Sequence, residues 1–434
     1  MLARLLFLVL GLGGLLSVQA QDCTASESCS DTNVRRPSAD YNDRTPLRRI
    51  VGYYEGWSGD RPCNKYYPEL IIPGIYTHLN YAYAAIDPKT FEVKLASAKD
   101  DQLIKRLAYL KTVDADVKVY ISLGGWAYNN PGPAQSTFSD LVRSEKAQGK
   151  FFRSLISFLL TYGLDGVDID WEYPGPQEVV GRGGRQEDFA NFPIFLRRLK
   201  EVLKSTGGRD GVTITLPASH KYLHHFDVIE LEKYVDWFNF KSYDLHGAWD
   251  RGNTWTGPYL NAHTNLSEIH TALDFLWQKI IPSNKVVLGT AFYGRAFTAT
   301  SPDCLEPGCT FASAADVGMC SRDNGLLLNS EIVSILETHG VTPTLDEEAG
   351  VKIATWDTNQ WLAYDDEETL QLKTDFALGF GLGGVMVWAV SHDTLEDQRF
   401  SEAFRQRAAN RNGRTKVTVQ DNGRRLVAVQ PYDL

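Results

Sequence analysis

Eight short apolar, β-rich runs punctuate the chain, at Ile50–Glu55, His78–Ala85, Lys118–Leu123, Gly166–Glu172, Val212–Pro217, Trp237–Tyr243, Lys285–Phe292 and Gly384–Ala389. Between most of them lie stretches with apolar residues at three- and four-residue spacing, clearest at Asp101–Leu110, Phe152–Leu160, Phe189–Leu203 and Ile269–Ile281. Continuous apolar strands that alternate with amphipathic helices imply a parallel sheet covered by helices. Eight strands of that kind predict an α/β fold, a (β/α)8 TIM barrel. Between the seventh and eighth runs the gap is about 90 residues, far beyond an ordinary loop. It contains Cys304, Cys309, Cys320 and a further strand signal at Val351–Trp356, followed by a helix signal at Glu367–Leu378. A small α+β subdomain, about residues 296–365, is therefore expected between strands 7 and 8, on the C-terminal side of the barrel.

The ends of the chain read differently. Arg4, the apolar run Leu5 to Leu16 and the small residues of Ser17-Val18-Gln19-Ala20 predict a signal peptide over residues 1–20, cut before Gln21. The run is too short to span a bilayer, so a secreted, extracellular protein without a membrane anchor is expected. In that setting six cysteines read as three disulfides. If Cys23 pairs with Cys29, the four others allow three connectivities. Residues 21–48 form a cysteine-bearing stub and linker, with Pro37 and Pro46 in its polar part, and residues 405–434 form an Arg-rich tail. A hairpin around Asp421-Asn422-Gly423 is one reading of the tail; a solvated extension is the favoured one. Asn265-Leu266-Ser267 is a glycosylation sequon.

Chemistry concentrates in Leu164-Asp165-Gly166-Val167-Asp168-Ile169-Asp170-Trp171-Glu172-Tyr173-Pro174. Side chains alternate along a strand, so Asp168, Asp170 and Glu172 share one face and Val167, Ile169 and Trp171 the other. Three acids in a row inside a barrel face desolvation and mutual repulsion, which raise carboxyl pKa values, and such clusters gather at active sites. Glu172 comes last, at the C-terminal end where barrel active sites lie. That place suits a general acid kept protonated by Asp170. Asp170 and Glu172 are only about 7 Å apart along one strand. Two groups so placed do not easily flank opposite faces of a sugar ring, as ordinary glycosidase pairs do. The nucleophile must come from another strand or from the substrate. A net charge of −10 argues against a nucleic-acid surface, and His224, His225 and His246 show no metal-ligand spacing with Cys or acids; no metal or cofactor is expected. The 12% aromatic share suits flat sugar rings as well as a large core.

These acids match the DxxDxDxE pattern of glycoside hydrolase family 18, the family of many chitinases, with Asp165, Asp168, Asp170 and Glu172 at its four positions. The resemblance runs from about Arg49 to Phe404. Ser122-Leu123-Gly124-Gly125-Trp126 resembles the family's SxGG strand, Ser242-Tyr243-Asp244 its sixth-strand motif, Phe292-Tyr293-Gly294-Arg295 its seventh and Val385-Met386-Val387-Trp388-Ala389 its eighth. The opening Gly52-Tyr53-Tyr54-Glu55-Gly56-Trp57, the Asp244-Leu245-His246-Gly247 extension and the cysteine spacing resemble the fungal branch related to killer-toxin subunits. That branch often carries upstream chitin-binding modules, for which the Cys23–Cys29 stub leaves no room.

The resemblance implies a secreted, endo-acting chitinase that retains configuration through substrate assistance. The acetamido oxygen of the substrate's own sugar attacks the anomeric carbon while Glu172 acts as general acid/base. Asp170 is implied to accept the acetamide N–H, Asp168 to share a proton with Asp170, and Tyr243 to donate to the acetamido oxygen with Asp244 close by. Trp388 is implied to form the floor under the reacting sugar. Tyr53, Trp57 and Trp126 are candidates for sugar stacking, and Ser122 and Arg295 for supporting roles, one near Asp168, the other as a barrel-end cation. Chitin and chitooligosaccharides are the expected partners of a monomer; neither nucleic acid nor membrane is expected. A chitin-binding lectin without activity and an endo-N-acetylglucosaminidase are the alternatives. One position departs from the family: Lys241 stands where Met is usual. By alternation it shares a face with Tyr243. Either it enters the acid cluster, depressing the pKa values of Asp168, Asp170 and Glu172, or it pairs with Asp168 deep in the barrel and leaves Glu172 untouched.

Overall fold

Residues 34–42, 45–408, 416–421 and 424–429 are described by the computed structural model. The signal peptide, Cys23 and Cys29 lie outside them. Strands β1 (Ile50–Glu55), β2 (His78–Ile86), β3 (Lys118–Gly124), β4 (Gly166–Asp170), β5 (Gly211–Pro217), β6 (Trp237–Lys241), β7 (Val286–Ala291) and β8 (Gly384–Trp388) pair in parallel, each with the next. β8 closes the barrel on β1 through Ile50↔Val385 to Gly52↔Val387. β4 and β6 stop two residues short of the sequence expectation, because the ladder runs out. Asp170 is the last residue of β4 with a β3 partner, and Lys241 pairs only with Pro217, which ends β5.

Alternation sorts the strand side chains as expected. Val51, Tyr53, Tyr120, Trp237, Val287 and Met386 pack inside the barrel. On the outer face of β4, Trp171 stacks on Phe138 at 5.5 Å and meets Phe192 edge-on at 5.2 Å, which seats two helices, Thr137–Val142 and Asp188–Leu203, on the strand that carries the acids. Helix Glu145–Tyr162 starts where Ser144 caps Ala147 N–H and ends at Gly163, whose φ of 67° suits a residue without Cβ. The Glu367–Gly379 helix belongs to the barrel, packing on β7 and β8.

The insertion follows β7 directly. Strand Tyr293–Ala299 is flanked by Phe311–Ala314 and Gln360–Tyr364, then Val351–Trp356 and Thr344–Asp346, with Leu326–Leu328 also on Tyr293–Ala299; every pairing is antiparallel. Helix Asn329–His339 completes the expected α+β subdomain. Of the three open connectivities, the structure contains Cys63–Cys320 and Cys304–Cys309. The first ties the β1–β2 loop to the insertion across 257 positions; the second closes a small loop. In the tail, Lys416–Asp421 and Arg424–Val429 pair as antiparallel strands, so the hairpin replaces the solvated extension favoured from sequence.

Candidate active site

Parallel register sets the first layer of the site. Ser122 on β3 and Thr213 on β5 lie beside Asp168 on β4. The Asp168 carboxylate, fully buried, accepts from Ser122 Oγ at 2.7 Å, Tyr53 OH at 2.9 Å, Thr213 Oγ1 at 2.7 Å and Asn239 Nδ2 at 3.1 Å. One layer higher, Asp170 accepts from Thr215 Oγ1 and Tyr83 OH, each at 2.7 Å. The two aspartates thus have separate sets of partners, and no hydrogen bond joins them among the described residues. Burial, then the Asp170 charge, pushes the Asp168 carboxyl up.

Gly124 explains why the SxGG strand needs its glycines. A Cβ there would stand 2.2 Å from the Asp170 carbonyl oxygen, and φ is +114°. At Gly125 (φ +79°) it would meet the Tyr83 ring at 2.5 Å. β3 can therefore lie against the acid strand only as bare backbone.

Glu172 sits just past the end of β4, 6% exposed. Lys241, largely buried, bridges the two outer acids, 2.6 Å from Asp170 Oδ1 and 2.8 Å from Glu172 Oε1. This corrects the reading in which Lys241 pairs with Asp168: strand β6 stops with Lys241 beside Pro217 at the barrel mouth, two layers above Asp168. Burial raises the Glu172 carboxyl pKa above its usual value; Lys241 pulls it down and Asp170 pushes it up. Lys241 thus depresses the Glu172 carboxyl as expected, though burial keeps it above its ordinary value, while Asp168, raised by burial and the Asp170 charge, shows no depression.

Around this cluster, Trp388 lies 5.5 Å from the Tyr53 ring, 5.9 Å from Tyr83 and 6.4 Å from Trp57, making an aromatic floor at the barrel mouth. Tyr53 is a correction. At 1% exposure, with its hydroxyl between Asp168 and Asn239, it has no face free for a sugar and supports the acid instead. Tyr243 is buried beside Met386, its hydroxyl 4.0 Å from the sulfur. Asp244 takes a left-handed conformation (φ 57°) and accepts from Tyr293 OH and Arg295 Nε, each at 2.8 Å. Partial desolvation raises its carboxyl, but the Arg295 charge outweighs that and holds it far below the usual carboxylate range. Arg295 is thus the counter-ion of Asp244 and lies 4.9 Å from the Trp249 ring. Trp126 stands on the rim, 52% exposed, with the Arg182 guanidinium 3.3 Å over its ring. Arg182, from the Gly-rich loop after β4, also donates to the Trp126 carbonyl oxygen at 3.2 Å. Asp165 lies apart, at the foot of the barrel, paired with Lys111 at 2.9 Å and accepting Val119 N–H.

Sequence reasoning missed Tyr83, Thr213, Thr215, Asn239 and Tyr173, the last hydrogen-bonded to Glu172. The alternating threonines of Val212-Thr213-Ile214-Thr215 carried a signal: two hydroxyls facing inward beside a strand with two inward acids. Among the described residues no group of three or more His, Cys, Asp or Glu could hold a metal ion, and no helix is long and apolar enough to cross a membrane.

The pattern that describes Glycosyl hydrolases family 18 matches residues 49–393. The chain belongs to this family. Among curated family 18 relatives, the probable chitinase LysM11 of Penicillium expansum is 30% identical over 369 residues, covering 80% of this chain and 32% of its own. The killer toxin subunits alpha/beta of Kluyveromyces lactis are 29% identical over 340 residues, 75% of this chain and 27% of theirs, in line with the branch resemblance. The chain spans about a third or less of the length of the first curated relatives it matches. Among solved structures, catalytic domain 2 of the Ostrinia furnacalis group II chitinase superposes with a TM-score of 0.71 at 28% identity, over 80% of this chain and 90% of that one. The family 18 match thus runs from before β1, through the insertion, to beyond β8.

Proposed function

We propose that the protein is a chitinase that hydrolyses β-1,4-linked N-acetylglucosamine chains with retention of configuration, Glu172 serving as proton donor. One observation carries this reading: among the described residues no carboxylate near Glu172 is free to attack a sugar. Asp168 is enclosed by four donors, Asp244 is committed to Arg295 and Tyr293, and Asp170 rises from the same strand as Glu172. A retaining glycosidase with its own nucleophile needs a second carboxylate facing the acid across the sugar. The acetamido oxygen of the substrate supplies that role here. It bonds to the anomeric carbon as the glycosidic C–O bond breaks, and Glu172 transfers its proton to the departing oxygen. Water then opens the oxazolinium ring, giving its proton back to Glu172.

The remaining roles follow from position. Asp170 accepts the acetamide N–H, Tyr243 donates to the acetamido oxygen, and Trp388 supports the sugar's C–H face. Asp168 holds Tyr53 and the strands around it. Trp126, Trp57, Asp244 and Arg295 line the approach for a long chain, which favours an endo-acting enzyme on chitin over one trimming glycoprotein glycans. The N-terminal apolar run fits export of a monomeric enzyme to where chitin lies. The test is proton NMR of chitotetraose during hydrolysis by the purified protein. Initial β-anomers are expected; initial α-anomers, or no cleavage, would overturn the assignment.

A further inference from the structure

Among the described residues Lys241 is the one cation inside the cluster of acids, and its two hydrogen bonds join groups with different tasks. Asp170 has to turn to an acetamide N–H; Glu172 has to hold a proton until the glycosidic bond breaks. The ammonium, 2.6 Å from Asp170 Oδ1 and 2.8 Å from Glu172 Oε1, occupies the donor position that an acetamide N–H would take on Asp170 and lends its charge to the ionised form of Glu172. A methionine would do neither: it carries no charge and no N–H. We propose that Lys241 is a positioning residue that links Glu172 to Asp170 and sets the pH at which Glu172 keeps its proton, and with it the alkaline limit of hydrolysis.

The surroundings make Lys241 the group that differs. From the end of β4, Asp170 and Tyr173 face Glu172; from the segment just after β6, Tyr243, with Asp244 beside it; from β2, Tyr83; and from the loop after β4, Arg182. The tyrosines are held neutral by burial, and Asp244 is balanced by Arg295. Arg182 is spread over the Trp126 ring at the rim. Among the described residues Lys241 alone brings a positive charge into hydrogen-bond contact with Glu172. An opposite charge at this range favours the carboxylate, and a general acid already ionised donates nothing. Lysine in place of methionine therefore lowers the upper pH limit relative to the same barrel without it.

The inference rests on Glu172 as proton donor, and its test separates the two. The Glu172 carboxyl is followed by carbon NMR in protein labelled at the glutamate δ-carbon, the signal assigned by its loss in Glu172→Gln. Hydrolysis of chitotetraose is measured over the same pH range for the wild type, Lys241→Met and Lys241→Gln. In both Lys241 variants Glu172 is expected to titrate at least one pH unit higher, and the alkaline limb of kcat/KM to move up by the same amount. Titrations that coincide within about 0.3 unit would overturn the proposal. A displaced titration with no hydrolysis by any of the proteins would support the link and overturn the chitinase reading instead.

Discussion

Removing each disulfide in turn separates two ways of holding the insertion. In Cys63→Ala/Cys320→Ala the lost link spans 257 positions, whereas in Cys304→Ala/Cys309→Ala it spans 5. The loop-closure entropy restored to the unfolded chain corresponds to about 5.5 kcal/mol for the long link and about 2 kcal/mol for the short one. Cys320 and Cys309 are buried to nearly the same degree, while Cys63 is half-buried and Cys304 exposed, so truncation adds a little further to the loss in the long-link variant. A difference of about 3.5 kcal/mol in a chain of this size is worth roughly 4 °C in Tm. Thermal unfolding by circular dichroism, in parallel on both variants, gives the ranking. Hydrolysis at 25 °C should change little in the long-link variant, because Arg61 still bonds to the Ser391 carbonyl oxygen at 2.7 Å and to Glu55, holding the loop against β8. A short-link variant that melts as low as the long-link variant, or lower, would refute the entropic reasoning.

Glu172→Gln is expected to lower chitotetraose hydrolysis by 10²–10⁴-fold while calorimetric affinity stays within a few-fold; activity within threefold of wild type would remove Glu172 from the role. Cellotetraose and fully deacetylated chitosan should not be cleaved, since neither carries the acetamido oxygen; turnover comparable to chitotetraose, followed by reducing-end assay, would require a protein nucleophile. Acid should loosen the β1–β8 corner. Burial pushes the Glu55 carboxyl up, but His392 and Arg61 pull it down to about 2; burial keeps the His392 imidazole low, so Arg61 is the lasting counter-ion near neutrality. A depressed carboxyl stabilises above its unfolded pKa and loses that contribution as pH falls from about 4.5 toward 2. Tm should drop over that window in the wild type and less in Glu55→Gln; parallel curves would count against it.

The fold was legible because its signal is periodic. Continuous apolar runs such as Ile50–Glu55 and amphipathic stretches such as Phe189–Leu203 have one economical arrangement, and their ends fell within two residues except where the helix before β4 began at Glu145 instead of Phe152 and where the helix expected at Ile269–Ile281 lay three residues earlier, at Leu266–Gln278. Asp168, Asp170 and Glu172 were legible for the same reason, since alternation assigns a face without knowledge of neighbours. What alternation cannot supply is register. Whether Lys241 reached Asp168 or Glu172 depended on how far β6 rises beside β5, and the separate donors of Asp168 and Asp170 depended on Thr213 and Thr215 lining up with them. Tyr53 failed as a stacking residue because depth within the barrel, not the face of the strand, decides whether a ring meets substrate. The cysteine pairing was closed to sequence because it depends on where the insertion folds back.

The Arg182–Trp126 stack gives the entrance a handedness. With a guanidinium lying 3.3 Å over one side of the indole and bonded to the backbone that carries it, only the opposite side of Trp126 remains to meet a pyranose. A ring with two open sides lets a polymer slip past on either; a ring with one side covered reads the chain from a single direction. If chitin is the substrate, as proposed, the arginine on the rim thus decides which face of Trp126 a sugar can use.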